Sequence, residues 1–482
     1  MPLPEARSNS LFRNSFFVFI TRFFPSLANL LIVIWYSRYL PQTVYGNYQQ
    51  FWIQLNVIYP LACFGIHVLI ITYSRDFIVH LLRSVTAKYY VLYAAWVLLL
   101  SVAFALLQHN SLGLSFIVPF LFILTYALSV IFESFLLVCR NYKKLTAINV
   151  LYSVAFCAIH WYMLNYGFSF QLLFIGLLLL AALRLGFYVI ISIADMRKEV
   201  VEAADRVAIA DVRSLWLHLV FYDVTQMLFT WIDKFIISLV LTAQLSAIYY
   251  NGSQNIPFLP LLLSAAGSSV LMHLAGGKSK DETPDIIRLM NQSGRVLSSI
   301  VFPLFFFLLF FRHELFFFLF WGKYREALPI FAVSILVLPV KSYSFTTVLQ
   351  RLHKGSIINI GSVADIGLAC ALMYPLYLWL GLPGVALSFV ITTYLQAAFY
   401  LFYSARLLHT SPLRLVPYKN WMLKLIVFSL VFIVIHYAGG RFFTGKINLI
   451  LGIVAMVTLS VVSLLIELKK QRKDGIEQQA AA

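Results

Sequence analysis

The sequence predicts an all-α polytopic membrane protein of about 14 transmembrane helices: two parallel-repeat six-helix bundles around a central cleft, plus two extra C-terminal helices. Three observations carry that expectation. Of 482 residues, 61% are hydrophobic and 11% charged, where a soluble chain carries about a quarter charged residues. Apolar runs of roughly 20 residues, enough for a helix to cross about 30 Å of hydrocarbon, recur from near the N-terminus to Leu468. Two short segments also recur in the same order along the chain. This composition excludes soluble multidomain enzymes, disordered proteins and small secreted scaffolds.

The spans follow from those runs. The first two, 14–37 and 45–71, are separated by Arg38-Tyr39-Leu40-Pro41, and Arg22 and Pro25 interrupt the first. Four more cover 88–107, 113–138, 146–166 and 170–194, with a charged break at Arg140-Asn141-Tyr142-Lys143-Lys144. This makes 1–194 an N-terminal six-helix bundle and 195–213, the longest hydrophilic connection, a cytoplasmic linker of mixed charge. Spans 215–240, 246–275, 292–311, 326–349, 356–380 and 384–405 form the second bundle, 214–410. Pro257 and Pro260 interrupt its second span, and Gly381-Leu382-Pro383-Gly384 separates its last two. Helices 13 and 14, at 420–438 and 447–467, belong to 411–468, and 469–482 is a tail.

Charge fixes the expected orientation. Alternate loops with the span ends that adjoin them, and the two ends of the chain, hold 26 Lys and Arg, against six on the other side: Arg38, Arg312, Lys323, Arg325, Arg441 and Lys446. By the positive-inside rule both termini are cytoplasmic. The formal charge of +17 is therefore a topology signal, and nucleic acid is not an expected partner. The four cysteines lie inside apolar runs without metal-ligand spacing and read as packing residues. Met1 to Arg13 is a short polar lead without the features of a signal peptide.

Leu40-Pro-Gln-Thr-Val-Tyr-Gly46-Asn-Tyr48 lines up with Leu241-Thr-Ala-Gln-Leu-Ser-Ala247-Ile-Tyr249, and Lys144-Leu-Thr-Ala-Ile-Asn149 with Lys354-Gly-Ser-Ile-Ile-Asn359. Both pairs join corresponding spans, which implies duplication of a six-span unit. An even number of spans keeps the copies in one orientation, related by an axis along the membrane normal. The last two helices are then an appendage.

An intramembrane charge costs about 2.5–3.5 kcal/mol on insertion scales, so each one needs a reason. Arg22, Ser26 and Asn29 share one helical face, as do Asp223, Gln226, Thr230 and Asp233. Gln50 and Gln54 share a face of the second span, and Asn251 and Asn255 take the equivalent positions in the eighth. These stripes suit a water-filled cleft lined by spans 1, 2, 7 and 8. Amides beside Tyr48, Tyr249 and Tyr250 are the side chains expected against sugar hydroxyls and rings. Each amide reads equally well as a helix-to-helix joint. Arg22 reads first as a contact for an anionic group, above all phosphate, and second as a structural partner of Asp223. Lys341 and Arg184 read as snorkelling residues or as partners of Asp365 and Glu133, with Lys341 kept as a binding candidate. The scattered histidines, His67 and His436 among them, read as packed residues. Gly440-Arg-Phe-Phe-Thr-Gly445-Lys446-Ile447 lacks the hydroxyl residue of a phosphate loop after its lysine. No cofactor and no catalytic role is expected.

Four stretches then carry a resemblance. Arg38-Tyr-Leu-Pro-Gln-Thr-Val-Tyr-Gly46-Asn-Tyr48 follows the first span; Asp233-Lys-Phe-Ile-Ile is followed by Ala247-Ile-Tyr249. Leu319-Phe-Trp-Gly322-Lys-Tyr324-Arg-Glu-Ala327 and Gly381-Leu-Pro-Gly384-Val-Ala386 complete the set. In this order they resemble the Wzx-type polysaccharide flippases of the multidrug/oligosaccharidyl-lipid/polysaccharide (MOP) exporter superfamily, over about residues 10–410. Pro41 and Ala247 stand where that family usually has Gly. The resemblance implies alternating-access translocation of a polyprenyl-pyrophosphate-linked oligosaccharide across the bacterial cytoplasmic (inner) membrane, for O-antigen, capsule or exopolysaccharide synthesis. It also implies contact with membrane lipids, Na+ or H+ as coupling ion, other polysaccharide assembly proteins as partners, and Arg22 as a cavity cation. The alternative within the superfamily is a cation-coupled multidrug or small-molecule exporter, whose ion sites would be Asp223, Asp233, Glu133 and Asp365. A membrane polymerase or glycosyltransferase would need a larger outer loop than any present.

Overall fold

The computed structural model describes residues 5–198, 209–253, 282–352 and 354–481, and all the regular structure in them is helical. The chain forms two compact units, Met1–Ala247 and Ile248–Ala482.

The first unit contains α1 (Glu5–Tyr39), α2 (Gln42–Cys63), α3 (Ile66–Thr72), α4 (Arg75–Ser84), α5 (Ala87–Leu112), α6 (Ile117–Val138), α7 (Tyr142–Tyr166), α8 (Phe170–Met196) and α9 (Ile209–Val240). α2 packs on α5, α6 and α9, α1 packs on α7, and α6 on α8. Lipid is as apolar as leucine, so these contacts rest on close fit more than on apolar burial. Rings supply much of the fit: Phe51 of α2 stacks on Phe174 at 3.9 Å and meets Phe104 and Phe122 edge-on at 5.2 Å each. α5 turns Tyr89, Val91, Leu92 and Leu99 outward, a face suited to acyl chains.

The second predicted span is broken, and the break shapes the site. α2 and α3 meet at 58°. Pro60 has no N–H to continue the ladder, and both Phe64 (φ 47°) and Gly65 (φ 66°) adopt left-handed backbone. A Cβ on Gly65 would lie 2.8 Å from Val220 Cγ2 and 3.0 Å from Val220 Cα on α9. Carbonyls released at the break would be costly in an apolar surround, and two indoles take them. Trp96 Nε1 donates to Leu61 O and Trp216 Nε1 to Phe64 O, both at 2.9 Å.

α10 (Ala243–Gly252) crosses the boundary between the units. The second unit continues with α11 (Glu282–Phe310), α12 (Arg312–Phe320), α13 (Leu328–Ser334), α14 (Thr347–Arg351), α15 (Gly355–Leu380), α16 (Leu382–Leu407), α17 (Pro412–Leu415), α18 (Tyr418–Phe442) and α19 (Gly445–Ala481). The span expected at 326–349 is a series of short pieces: α13, 3-10 turns at Ile335–Val337 and Pro339–Ser342, then α14. Pro339 lacks the N–H an unbroken helix would need. The span expected at 246–275 lies largely outside the described residues. Among the described residues ten helices are long and apolar enough to cross a membrane, eleven with the bent α2–α3 pair.

Helices 13 and 14 of the sequence, α18 and α19, both pack on α11. A buried ion pair, Lys424 Nζ to Glu467 Oε1 at 3.1 Å, joins them. Lys424 also donates to Arg295 O (2.6 Å), Ser299 Oγ (2.8 Å) and Ser298 Oγ (3.1 Å) on α11, and Asn420 Nδ2 donates to Glu467. The expected appendage is thus clasped to α11 by charge as well as packing.

Candidate functional site

A cavity of about 430 Å3 opens within the first unit, between α1, α2, α3, α6 and α9. Each polar lining residue is placed by a local feature. Arg22 projects from the turn of α1 before Pro25, and Asn56 and Tyr59 lie one turn apart on α2. The α2–α3 bend carries His67 to the wall, α6 adds Glu133 and Ser134, and α9 adds Asp223, Thr230 and Trp231.

His67 Nε2 lies 3.5 Å from Asp223 Oδ1, with both side chains 18% exposed. At that distance the pair is electrostatic rather than a tight hydrogen bond. His67 Nδ1 and Asp223 Oδ2 are buried without a hydrogen-bond partner, so the pair has unused capacity for a proton, a cation or a polar ligand. The cavity is electrostatically mixed: one guanidinium, two carboxylates and an imidazole share one space. Such a site can hold an anionic group against Arg22 while its acids exchange a cation.

The cavity thus gathers three of the sequence-predicted residues: Arg22, Asp223 and Thr230. Ser26 and Asn29 are exposed further along α1, and Ser26 Oγ donates to Arg22 O at 2.9 Å. Gln50 and Gln54 are buried helix joints. Gln50 donates to Ser246 Oγ and Gln54 to Ser238 Oγ, each at 3.3 Å, while Gln54 accepts from Gln108 at 2.6 Å. Asp233 is buried and pairs with Lys234 at 3.2 Å. The side chain of Gln226 and the whole of Asn255 lie outside the described residues. In the second unit, Tyr249 and Asn251 are buried, and Lys341 lies in the 3-10 turn Pro339–Ser342 within electrostatic reach of Asp365.

Asn56, Tyr59 and His67 were not among the sequence-predicted binding residues, and Glu133 was expected only as an ion site of the alternative exporter or a partner of Arg184. The i, i+3 spacing of Asn56 and Tyr59 is visible in the sequence, whereas the role of His67 depends on the bend. Arg184 is held by tyrosine faces beside the cavity: its guanidinium carbon is 4.1 Å from the Tyr152 ring centroid, and 5.8 and 5.9 Å from those of Tyr126 and Tyr188. Tyr126 in turn packs edge-on against Tyr59, at 5.0 Å.

Residues 71–329 match the sequence profile of the polysaccharide biosynthesis protein family, more than half of the chain. The chain belongs to that family. Solved structures share the fold of this polysaccharide biosynthesis protein. The lipid II flippase MurJ, in an inward closed conformation, is 16% identical, with a TM-score of 0.62 over 92% of this chain and 97% of its own. A multidrug resistance MATE family transporter of the MOP superfamily, facing inward, is 12% identical, with a TM-score of 0.56 over 80% and 94%. A MOP superfamily transporter from Pyrococcus furiosus is also 12% identical, with a TM-score of 0.54 over 83% and 95%. No curated protein matches the sequence. The family match bears out the Wzx-type resemblance, and with ten described helices of membrane-crossing length the chain is a multi-pass membrane protein of the polysaccharide biosynthesis family that shares its fold with these structures.

Proposed function

We propose that the protein translocates a polyprenyl-pyrophosphate-linked oligosaccharide across the bacterial inner membrane by alternating access, with both termini cytoplasmic. The observation that carries this reading is Arg22, a guanidinium within the apolar run that the sequence places at 14–37 and open to a sizeable cavity with polar lining, in a chain of the polysaccharide biosynthesis family. A planar guanidinium binds phosphate bidentately and offsets its desolvation. Amides and tyrosines, among them Asn56 and Tyr59, suit sugar hydroxyls and rings, while the prenyl tail stays in lipid. The six-span duplication supplies two halves that rock about the substrate, and other polysaccharide assembly proteins receive the product.

The carboxylates give the site a coupling role: Asp223 with His67, and Glu133, take and release H+ or Na+. The same acids favour the second reading, a cation-coupled exporter. Translocation of a fluorescent lipid-linked oligosaccharide in proteoliposomes separates the two. Flipping by wild type is the expected result; ion-driven efflux of a small cation without any flipping would replace the first reading with the second.

A further inference from the structure

A second polar feature lies far from Arg22 in sequence and is contained within the second unit. A cavity of about 620 Å3 is lined by Phe310 at the end of α11, Arg312 and His313 at the start of α12, and His436, Tyr437 and Arg441 in the last turns of α18. α11 and α18 are both of membrane-crossing length and end here, at Phe310 and Phe442. The cavity therefore sits where hydrocarbon gives way to lipid headgroups. Tyr437 and Phe442 are about three-quarters exposed beside it, as rings at that boundary commonly are.

Its charge runs against the topology bias. Arg312 and Arg441 are two of the six Lys and Arg on the side of the membrane that the sequence otherwise keeps poor in them, yet they converge on one cavity with two imidazoles. Among the described residues neither guanidinium has a carboxylate within ion-pair distance. Arg312 Nη1 donates to Leu309 O at 2.7 Å, which uses one of its five N–H groups and holds the side chain at the helix end. The nearby acid is Glu314. Its Oε1 accepts from Asn448 Nδ2 at 3.0 Å and lies 3.6 Å from His436 Nδ1. It thus serves α18 and α19 and does not neutralise the arginines.

From this placement we propose that the cavity binds the phosphate of an anionic lipid headgroup. Arg312 and Arg441 supply the charge, His313 adds a donor, and Phe310 and Tyr437 face the glycerol or prenyl carbons next to the phosphate. Two basic side chains at a headgroup surface correspond to about 10- to 30-fold in affinity.

The test is native mass spectrometry of the full chain in detergent, with phosphatidylglycerol, phosphatidylcholine and a polyprenyl phosphate offered separately. Wild type is compared with R312Q/R441Q, R312K/R441K and the single variant R441Q, whose exposed site in the last turn of α18 spares the fold. Retention of phosphatidylglycerol is expected to fall about 10- to 30-fold in the double glutamine variant, to fall less in R441Q, and to survive largely in the double lysine variant. Phosphatidylcholine retention should be the same in all four. A fall confined to polyprenyl phosphate would support the site and name that lipid as its source of phosphate. Equal phosphatidylglycerol and polyprenyl phosphate retention by wild type and R441Q would overturn the proposal, as would a parallel loss of phosphatidylcholine.

Discussion

Arg22, Asp223 and His67 line one cavity and, in the function proposed above, have different chemical tasks. If Arg22 bonds phosphate with both arms of its fork, Arg22→Lys should lower flipping about tenfold and Arg22→Ala by ten- to a hundredfold, since a hydrogen bond to a charged group contributes about 1.5–3 kcal/mol. Initial flipping rates in proteoliposomes check this; unchanged rates in both variants would make Arg22 structural. Asp223→Asn keeps shape and hydrogen bonding but removes the charge. It should leave substrate binding within about threefold and abolish any acceleration by an imposed ion gradient, a split that a merely structural Asp223 would not give. Lys424→Met, by contrast, strands Glu467 in a buried site. A cost of about 3–5 kcal/mol is expected, read as a lower melting temperature, with much of it recovered in Lys424→Met/Glu467→Leu.

At the scale of elements, the α2–α3 bend determines what the cavity contains. Gly65→Ala combines left-handed strain of about 1–3 kcal/mol with a Cβ against the α9 backbone at Val220. It should lower the melting temperature and slow flipping, because His67 rides on the far side of the bend. The sequence made the long helices legible, since an apolar run of about 20 residues has one use. Local breaks were harder to see. The second span was read as unbroken over 45–71, and the turn falls on Phe64, where nothing in a phenylalanine predicts positive φ. His67, one of several scattered histidines, was read as a packed residue, and only the bend brings it to the cavity wall. For Gln50 and Gln54 the sequence left two readings open, ligand contact or helix joint, and only tertiary neighbours such as Ser238 and Gln108 show the joint. The span at 326–349 had the composition of a membrane helix, and its 3-10 turns follow from Pro339 and the packing of that segment on α11 and α16.

For the whole molecule, the charge asymmetry makes a direct prediction. Cysteines introduced at Ser8 and near Lys470, in a background without the four natural ones, should both be labelled only from the cytoplasmic face, and one at Lys323 only from the opposite face. Labelling of Ser8 and Lys470 from different sides would require an odd number of crossings and remove the two-bundle arrangement.

The clasp between Lys424 and Glu467 bears on how the chain is made. Lys424 leaves the ribosome with α18, while its counter-charge lies about forty residues later, near the end of the apolar part of α19. Until that segment enters the membrane, an ammonium group waits with only hydroxyl and carbonyl partners from α11. Entry of α19 into the membrane therefore completes the charge pair. A product cut short before Glu467 presents a lone charge at membrane depth, the kind of defect by which quality-control proteases can tell an unfinished chain from a finished one.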